Sequence, residues 1–162
     1  MGGATAFGNT SPAAEFNFLA DPEAAEAVLQ SGAKITICPL DLSHKSYLTS
    51  EEIARLARLG TPQAAFTAAI LDSTVEYCQK KFGVPGSIVY DPAALLFALR
   101  PELFTTESCW CAVETGGVCC RGKMVTDVFS DAQNPDNATL ALEVDRPAFV
   151  QAFLELMGRY PL

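Results

Sequence analysis

The chain has 162 residues, 49% of them hydrophobic, and its 11 basic and 19 acidic side chains leave a formal net charge of -8. That length fits one domain with a sizeable core, and a mean hydropathy of +0.19 excludes a disordered polypeptide. The acidic balance argues against nucleic acid or an anionic membrane as partner, and no apolar run nears the roughly 18 residues that span a bilayer.

Residues Met1 to Ala6 lack the basic flank and apolar stretch of a signal peptide, so a cytoplasmic protein is expected. The first 20 residues read as a glycine-rich polar loop, with a short run of undecided type from Ala13 to Asn17. Asp21-Pro22-Glu23 opens a helix, with Asp as N-cap, Pro at the first helical position and Glu near the positive end of the dipole. It runs through Leu29 and stops at Gly32. Lys34 to Leu40 reads as a strand ending at Pro39. Thr49 and Glu52 form a capping box for a helix that ends at Gly60. Thr61-Pro62 starts the longest helix, closed by Gly83, with Phe66, Ala69, Ile70, Ser73 and Tyr77 on one face. Asp91-Pro92 begins another, ending before Pro101. Cys109 to Glu114, Val118 to Arg121, Lys123 to Asp127 and Ala138 to Val144 then read as short strands, with Gly116-Gly117 as a hairpin turn. Arg146 to Met157 is a closing amphipathic helix.

This order predicts an α/β protein with an irregularity. One core strand stands among four helices, and the late strands look antiparallel, whereas an α/β layer needs several parallel strands. The six cysteines add little. Cys109 and Cys111 have C-x-C spacing, Cys119 and Cys120 are adjacent, and none follows the C-x2-C pairing of zinc sites. Buried free thiols in a reducing compartment are expected, with a cysteine-ligated metal module as the weaker alternative.

The densest polar cluster is Gly8-Asn9-Thr10-Ser11-Pro12-Ala13-Ala14-Glu15-Phe16-Asn17. Two amides and a carboxylate on one loop suit a sugar with many hydroxyls; an Asx-turn beside a solvated glutamate is the plain reading. Asp91 is similarly open. By position it reads as an N-cap, and by chemistry it could ligate a hard cation.

Taken together, Met1-Gly2-Gly3, Gly8-Asn9, Ala14-Glu15-Phe16-Asn17 and Asp21-Pro22-Glu23-Ala24-Ala25 resemble the central signature of the inosine/uridine-preferring nucleoside hydrolases. The likeness continues through Pro39-Leu40-Asp41-Leu42-Ser43-His44, the Asp91-Pro92 helix, Arg121-Gly122 and Val125-Thr126-Asp127. It implies the C-terminal part of a Rossmann-like fold, as a single partial domain over residues 1–162. It also implies hydrolysis of the N-glycosidic bond of a ribonucleoside to ribose and free base. Carried over by position, Asn9, Glu15 and Asn17 hydrogen-bond the ribose, Met1 and Phe16 line the sugar and base site, and Asp91 is a calcium ligand. In the family, calcium holds the ribose hydroxyls and a water, and the transition state is oxocarbenium-like.

Two departures from the family matter. The family chain is about twice as long, and its Asp-rich N-terminal half, which carries most calcium ligands and the catalytic base, has no counterpart here. Tyr90 occupies the position where many members place a histidine that protonates the leaving base. A phenol is the weaker acid at neutral pH, although other members activate the base by stacking. His44, the one histidine, is expected to be structural. The resemblance therefore predicts a chain without activity of its own. The alternative is a non-catalytic remnant that binds nucleoside or ribose weakly, or that associates through an exposed sheet edge with itself or a full-length copy.

Overall fold

A computed structural model describes residues 1–129 and 134–159. In chain order its elements are α1 (Phe16–Ala20), α2 (Pro22–Leu29), β1 (Thr36–Ile37), α3 (Leu40–Ser43), β2 (Tyr47–Leu48), α4 (Ser50–Ala57) and α5 (Pro62–Phe82). There follow β3 (Ser87–Ile88), α6 (Tyr90–Leu99), a 3-10 turn (Pro101–Leu103), β4 (Phe104–Val113), β5 (Met124–Asp127), β6 (Ala138–Val144) and α7 (Arg146–Gly158). They divide into two compact units. The first is Met1–Leu42 with Phe104–Glu143, and the second is Ser43–Leu103 with the residues from Val144 on. None of the described helices is long and apolar enough to cross a membrane.

The first unit is built on a sheet of order β1-β6-β4-β5. β4 and β5 pair antiparallel, with Trp110 opposite Asp127 and Val113 opposite Met124. β1 and β6 pair parallel, with Thr36 opposite Thr139 and Ile37 opposite Leu140. Of the late strands, expected to be antiparallel, β4 and β5 pair so, while β6 also pairs parallel with the early strand β1. Parallel pairing needs a long crossover, and the chain between β1 and β6 provides it. From Cys109 on, β4 alternates with period two, burying Cys109, Cys111 and Val113. These side chains pack with Leu29, Ile37, Met124, Ala138 and Leu140 in the core of this unit. Asn137, just before β6, pairs with β4 through its side chain: its Oδ1 accepts from Cys111 N at 2.7 Å and its Nδ2 donates to Cys111 O at 2.8 Å. One side-chain amide thus does the work of a neighbouring strand's peptide.

Val118 to Arg121 is a turn, not the expected strand. Glu114 Oε1 accepts from the N–H groups of Gly116 and Gly117 at 2.8 and 2.9 Å, and Arg121 N and Lys123 N donate to Gly117 O and Cys120 O. The backbone groups that a strand would offer to a ladder are satisfied locally. Arg121 then reaches α2, its two terminal nitrogens donating to the two Glu23 carboxylate oxygens at 2.7 and 2.8 Å. This guanidinium holds the Glu23 carboxyl below its ordinary range. Cys38, Cys78, Cys109 and Cys111 are buried free thiols, as expected, while Cys119 and Cys120 in the turn are exposed. Burial pushes the Cys38, Cys109 and Cys111 thiols up.

The second unit is helical, with a small antiparallel β2–β3 pair. The Thr49–Glu52 capping box is present at the start of α4. Thr61 Oγ1 caps α5 by accepting from Ala64 N at 3.2 Å. Gly83 closes α5 in the left-handed region at φ 71°, where a Cβ would be strained. The expected stripe on α5 is real but faces outward. Phe66, Ile70 and Tyr77 are 69%, 49% and 53% exposed, and the buried face is Ala64, Ala68, Leu71 and Cys78. A helix with two apolar faces gives a periodicity that cannot tell which one is covered.

Candidate functional site

The loop before α1 is shaped by a close backbone approach at Gly8. A Cβ there would lie 2.2 Å from Ala14 O and 2.3 Å from Ser11 O. Gly8 N donates to Pro12 O at 3.1 Å, and Ser11 Oγ accepts from Ala14 N at 2.9 Å, folding residues 8–14 back on themselves. Gly8→Ala is expected to cost about 3 kcal/mol, because two carbonyls must move to admit one methyl. Urea unfolding checks this: the midpoint should fall with an unchanged slope.

This fold-back sets the polar side chains. Asn9 Oδ1 accepts from Phe16 N, seven residues on, at 3.0 Å and from Thr10 Oγ1 at 3.1 Å. Glu15 is not solvated; it is 2% exposed and caps α1. Its Oε1 accepts from Asn17 N at 2.8 Å, and its Oε2 accepts from Gly3 N at 2.9 Å and Phe18 N at 3.3 Å. Three backbone donors on two oxygens leave the carboxylate about one lone pair for anything else. Asn17 Nδ2 lies 3.4 Å from both Met1 O and Met1 Sδ. These bonds are long enough for a hydroxyl to replace them. Phe16 is 60% exposed beside them. Met1, Asn9, Glu15, Phe16 and Asn17 thus form one cluster in the first unit, rigid at Glu15 and open at Phe16 and Asn17.

Tyr90, Asp91 and His44 belong to the second unit. Asp91 is not an N-cap. α6 starts one residue earlier, at Tyr90, behind Val89, which makes no side-chain cap bond. The Asp91 carboxylate is exposed in the first turn, and no group among the described residues bonds it. The Tyr90 ring packs against Cys78, Val84 and Ile88. The His44 ring lies 4.9 Å from the Phe82 ring, a local packing contact.

A model of the family described as inosine-uridine preferring nucleoside hydrolase matches residues 1–151. The chain belongs to this family. Similar relatives include the pyrimidine-specific ribonucleoside hydrolases RihA of Enterobacter sp. (strain 638), 40% identical over 100% of this chain, and of Salmonella typhimurium, 41% identical over 99% of it. Among solved structures, a plant nucleoside hydrolase, PpNRh1, superposes with a TM-score of 0.85 at 26% identity over 99% of this chain. A purine-preferring ribonucleoside hydrolase from Gardnerella vaginalis gives 0.85 at 30% identity over 98%. The fold is therefore that of part of a nucleoside hydrolase. The chain spans about half the length of these relatives, 52% of the RihA proteins and 52% and 50% of the two solved chains.

The calcium that the family resemblance implies does not fit these residues alone. Calcium takes 6–8 oxygen ligands. Among the described residues no group of three or more His, Cys, Asp or Glu could hold a metal. Asp91 is one carboxylate at the positive end of a helix, where the backbone field repels a cation. Asp41 and Lys123 bond the backbone of Ala4–Ala6, the segment between Met1 and Asn9. They lie far along the chain from it, and no local spacing marks them as its partners.

Proposed function

We propose that this chain carries the sugar-binding part of an N-ribosyl hydrolase, and that on their own these 162 residues bind ribose and pyrimidine ribonucleosides without cleaving them. The observation that carries the reading is the single cluster of Met1, Asn9, Glu15, Phe16 and Asn17, in a chain of this family. Asn17 offers an exposed amide to sugar hydroxyls, and the Phe16 ring offers an exposed apolar face to the base. Glu15 fixes both by holding the N–H groups of Asn17 and Phe18. The pyrimidine preference is supported by the RihA relatives at 40–41% identity, which exceed the similarity to the purine-preferring enzyme.

Tyr90 and Asp91 supply a phenol and one carboxylate, which fall short of a base, an acid and a metal site together. The test is ribose release from uridine, cytidine and inosine in excess calcium. The expected result for the 162 residues alone is no release above the uncatalysed rate. Calcium-dependent release that Asp91→Ala abolishes would contradict it.

A further inference from the structure

Ala4, Thr5 and Ala6 lie in no helix or strand, so their peptide groups need partners from elsewhere. Ala4 is buried by packing, but Thr5 is half-buried and Ala6 exposed. Two opposite charges hold the peptide groups of the segment. Asp41, in the first turn of α3, accepts from Thr5 N at 2.6 Å through Oδ2 and from Ala6 N at 3.1 Å through Oδ1. Lys123, at the entry to β5, donates from Nζ to the carbonyls of Ala4 and Thr5, each at 3.0 Å, and of Ala6 at 2.5 Å. A carboxylate thus grips the N–H side of one short stretch while an ammonium grips its C=O side. Lys123 commits all three of its donors. Burial lowers the Lys123 pKa, opposed by the nearby charge of Asp41, so the ammonium stands in a partly dry site where these bonds are strong. The stretch joins Met1 to Asn9. Next to it, Gly3 O accepts from Leu40 N at 2.9 Å, which ties the same segment to the start of α3.

We propose that Asp41 and Lys123 are positioning residues: an opposed-charge clamp on Ala4–Ala6 that sets Met1 and Asn9 at the sugar cluster. The sugar part of this statement rests on the proposed function; the clamp itself does not. The bonds of both residues go to backbone groups of this segment. Their effect on binding runs through the backbone between them. Losing either partner strands charge-assisted bonds, a loss that corresponds to about tenfold or more in a local equilibrium.

The test is amide hydrogen exchange and D-ribose titration by NMR on the wild-type chain and on Lys123→Met, Lys123→Arg and Asp41→Asn. In Lys123→Met and Asp41→Asn the Thr5 and Ala6 amides are expected to exchange about tenfold faster. The Met1 methyl and Asn9 side-chain signals should shift and ribose affinity should fall about tenfold, while amides of α2 and β4 keep their protection. Lys123→Arg, which keeps the cation, should recover part of both effects. Unchanged exchange at Thr5 and Ala6 in both variants would overturn the clamp. Faster exchange with unchanged ribose affinity would overturn the positioning role. Faster exchange in a chain whose wild type gives no ribose response would uphold the clamp and count against the proposed function.

Discussion

Glu15→Ala is expected to destabilise the chain by about 4 kcal/mol and to abolish ribose binding. The carboxylate is buried and accepts from the N–H groups of Gly3, Asn17 and Phe18. Removing it leaves three donors in or near the core without an acceptor, at about 1–3 kcal/mol each, partly relieved by entering water. Its bond to Gly3 N also links the start of α1 to the N-terminal segment, beside the longer Asn17–Met1 contacts, so the cluster loosens as the helix start frays. Glu15→Gln should lose less. Its one remaining carbonyl oxygen still accepts, while its amide N–H₂ faces a backbone donor. Urea unfolding gives the stability ranking of wild type, Gln and Ala. An alanine variant within about 1 kcal/mol of wild type would show that the carboxylate is not what holds the loop.

The second large effect belongs to the helical unit. Glu52 accepts from Thr49 N at 2.8 Å and from Thr49 Oγ1 at 3.0 Å as half of the α4 capping box. The same Oε2 pairs with Arg146 Nη2, from the start of α7, and both side chains are mostly buried, at 17% and 23% exposed. The Arg146 guanidinium lies 4.1 Å from the Tyr47 ring centroid, and its buried Nε meets no acceptor among the described residues. The carboxylate is therefore the principal compensation for a desolvated cation. Glu52→Ala is expected to cost about 3 kcal/mol, since it removes a helix cap and strands the charge. Glu76→Ala is the control. Glu76 pairs with Lys80 on the surface of α5, with both side chains more than 70% exposed, and its loss should cost under about 0.5 kcal/mol. Equal effects of the two alanines would mean that the Arg146–Glu52 pair contributes no more than a surface contact.

Helix starts were the most legible part of the fold. Asp21, Thr49 and Thr61 each cap a helix by accepting from a backbone N–H three residues on, so donor and acceptor sit within one short peptide. The Asp-Pro pair at Asp91 has the same spelling and a different outcome. α6 begins at Tyr90, which moves Asp91 inside the helix and Pro92 to a first-turn position where its missing N–H costs nothing. Less legible was anything decided by distant contacts. The parallel pairing of β6 with β1 depends on residues more than a hundred positions apart. The covered face of α5 depends on which neighbours pack against it. Val118 to Arg121 has strand-like composition, but Glu114 and the two glycines bend it into a turn.

The site follows the same division. The motif residues from Met1 to Asn17 were readable because they lie on one segment, and the structure gathers them on it. What the sequence could not tell was that Glu15 is spent largely on the backbone, which makes it first a builder of the loop. Asp41 and Lys123 were invisible as partners, being 35–36 and 117–119 residues from the peptides they hold. A lysine and an aspartate so far apart carry no joint signal without coordinates.

The most direct test of the central claim is a titration of the isotope-labelled 162-residue chain with D-ribose and then uridine, followed by NMR. Saturable shifts are expected, confined to the Asn9 and Asn17 side-chain amides, the Phe16 ring and the Met1 methyl, with uridine adding to the Phe16 shift and no ribose released. Absence of any shift at these four residues, at sugar concentrations that saturate a weak site, would contradict it.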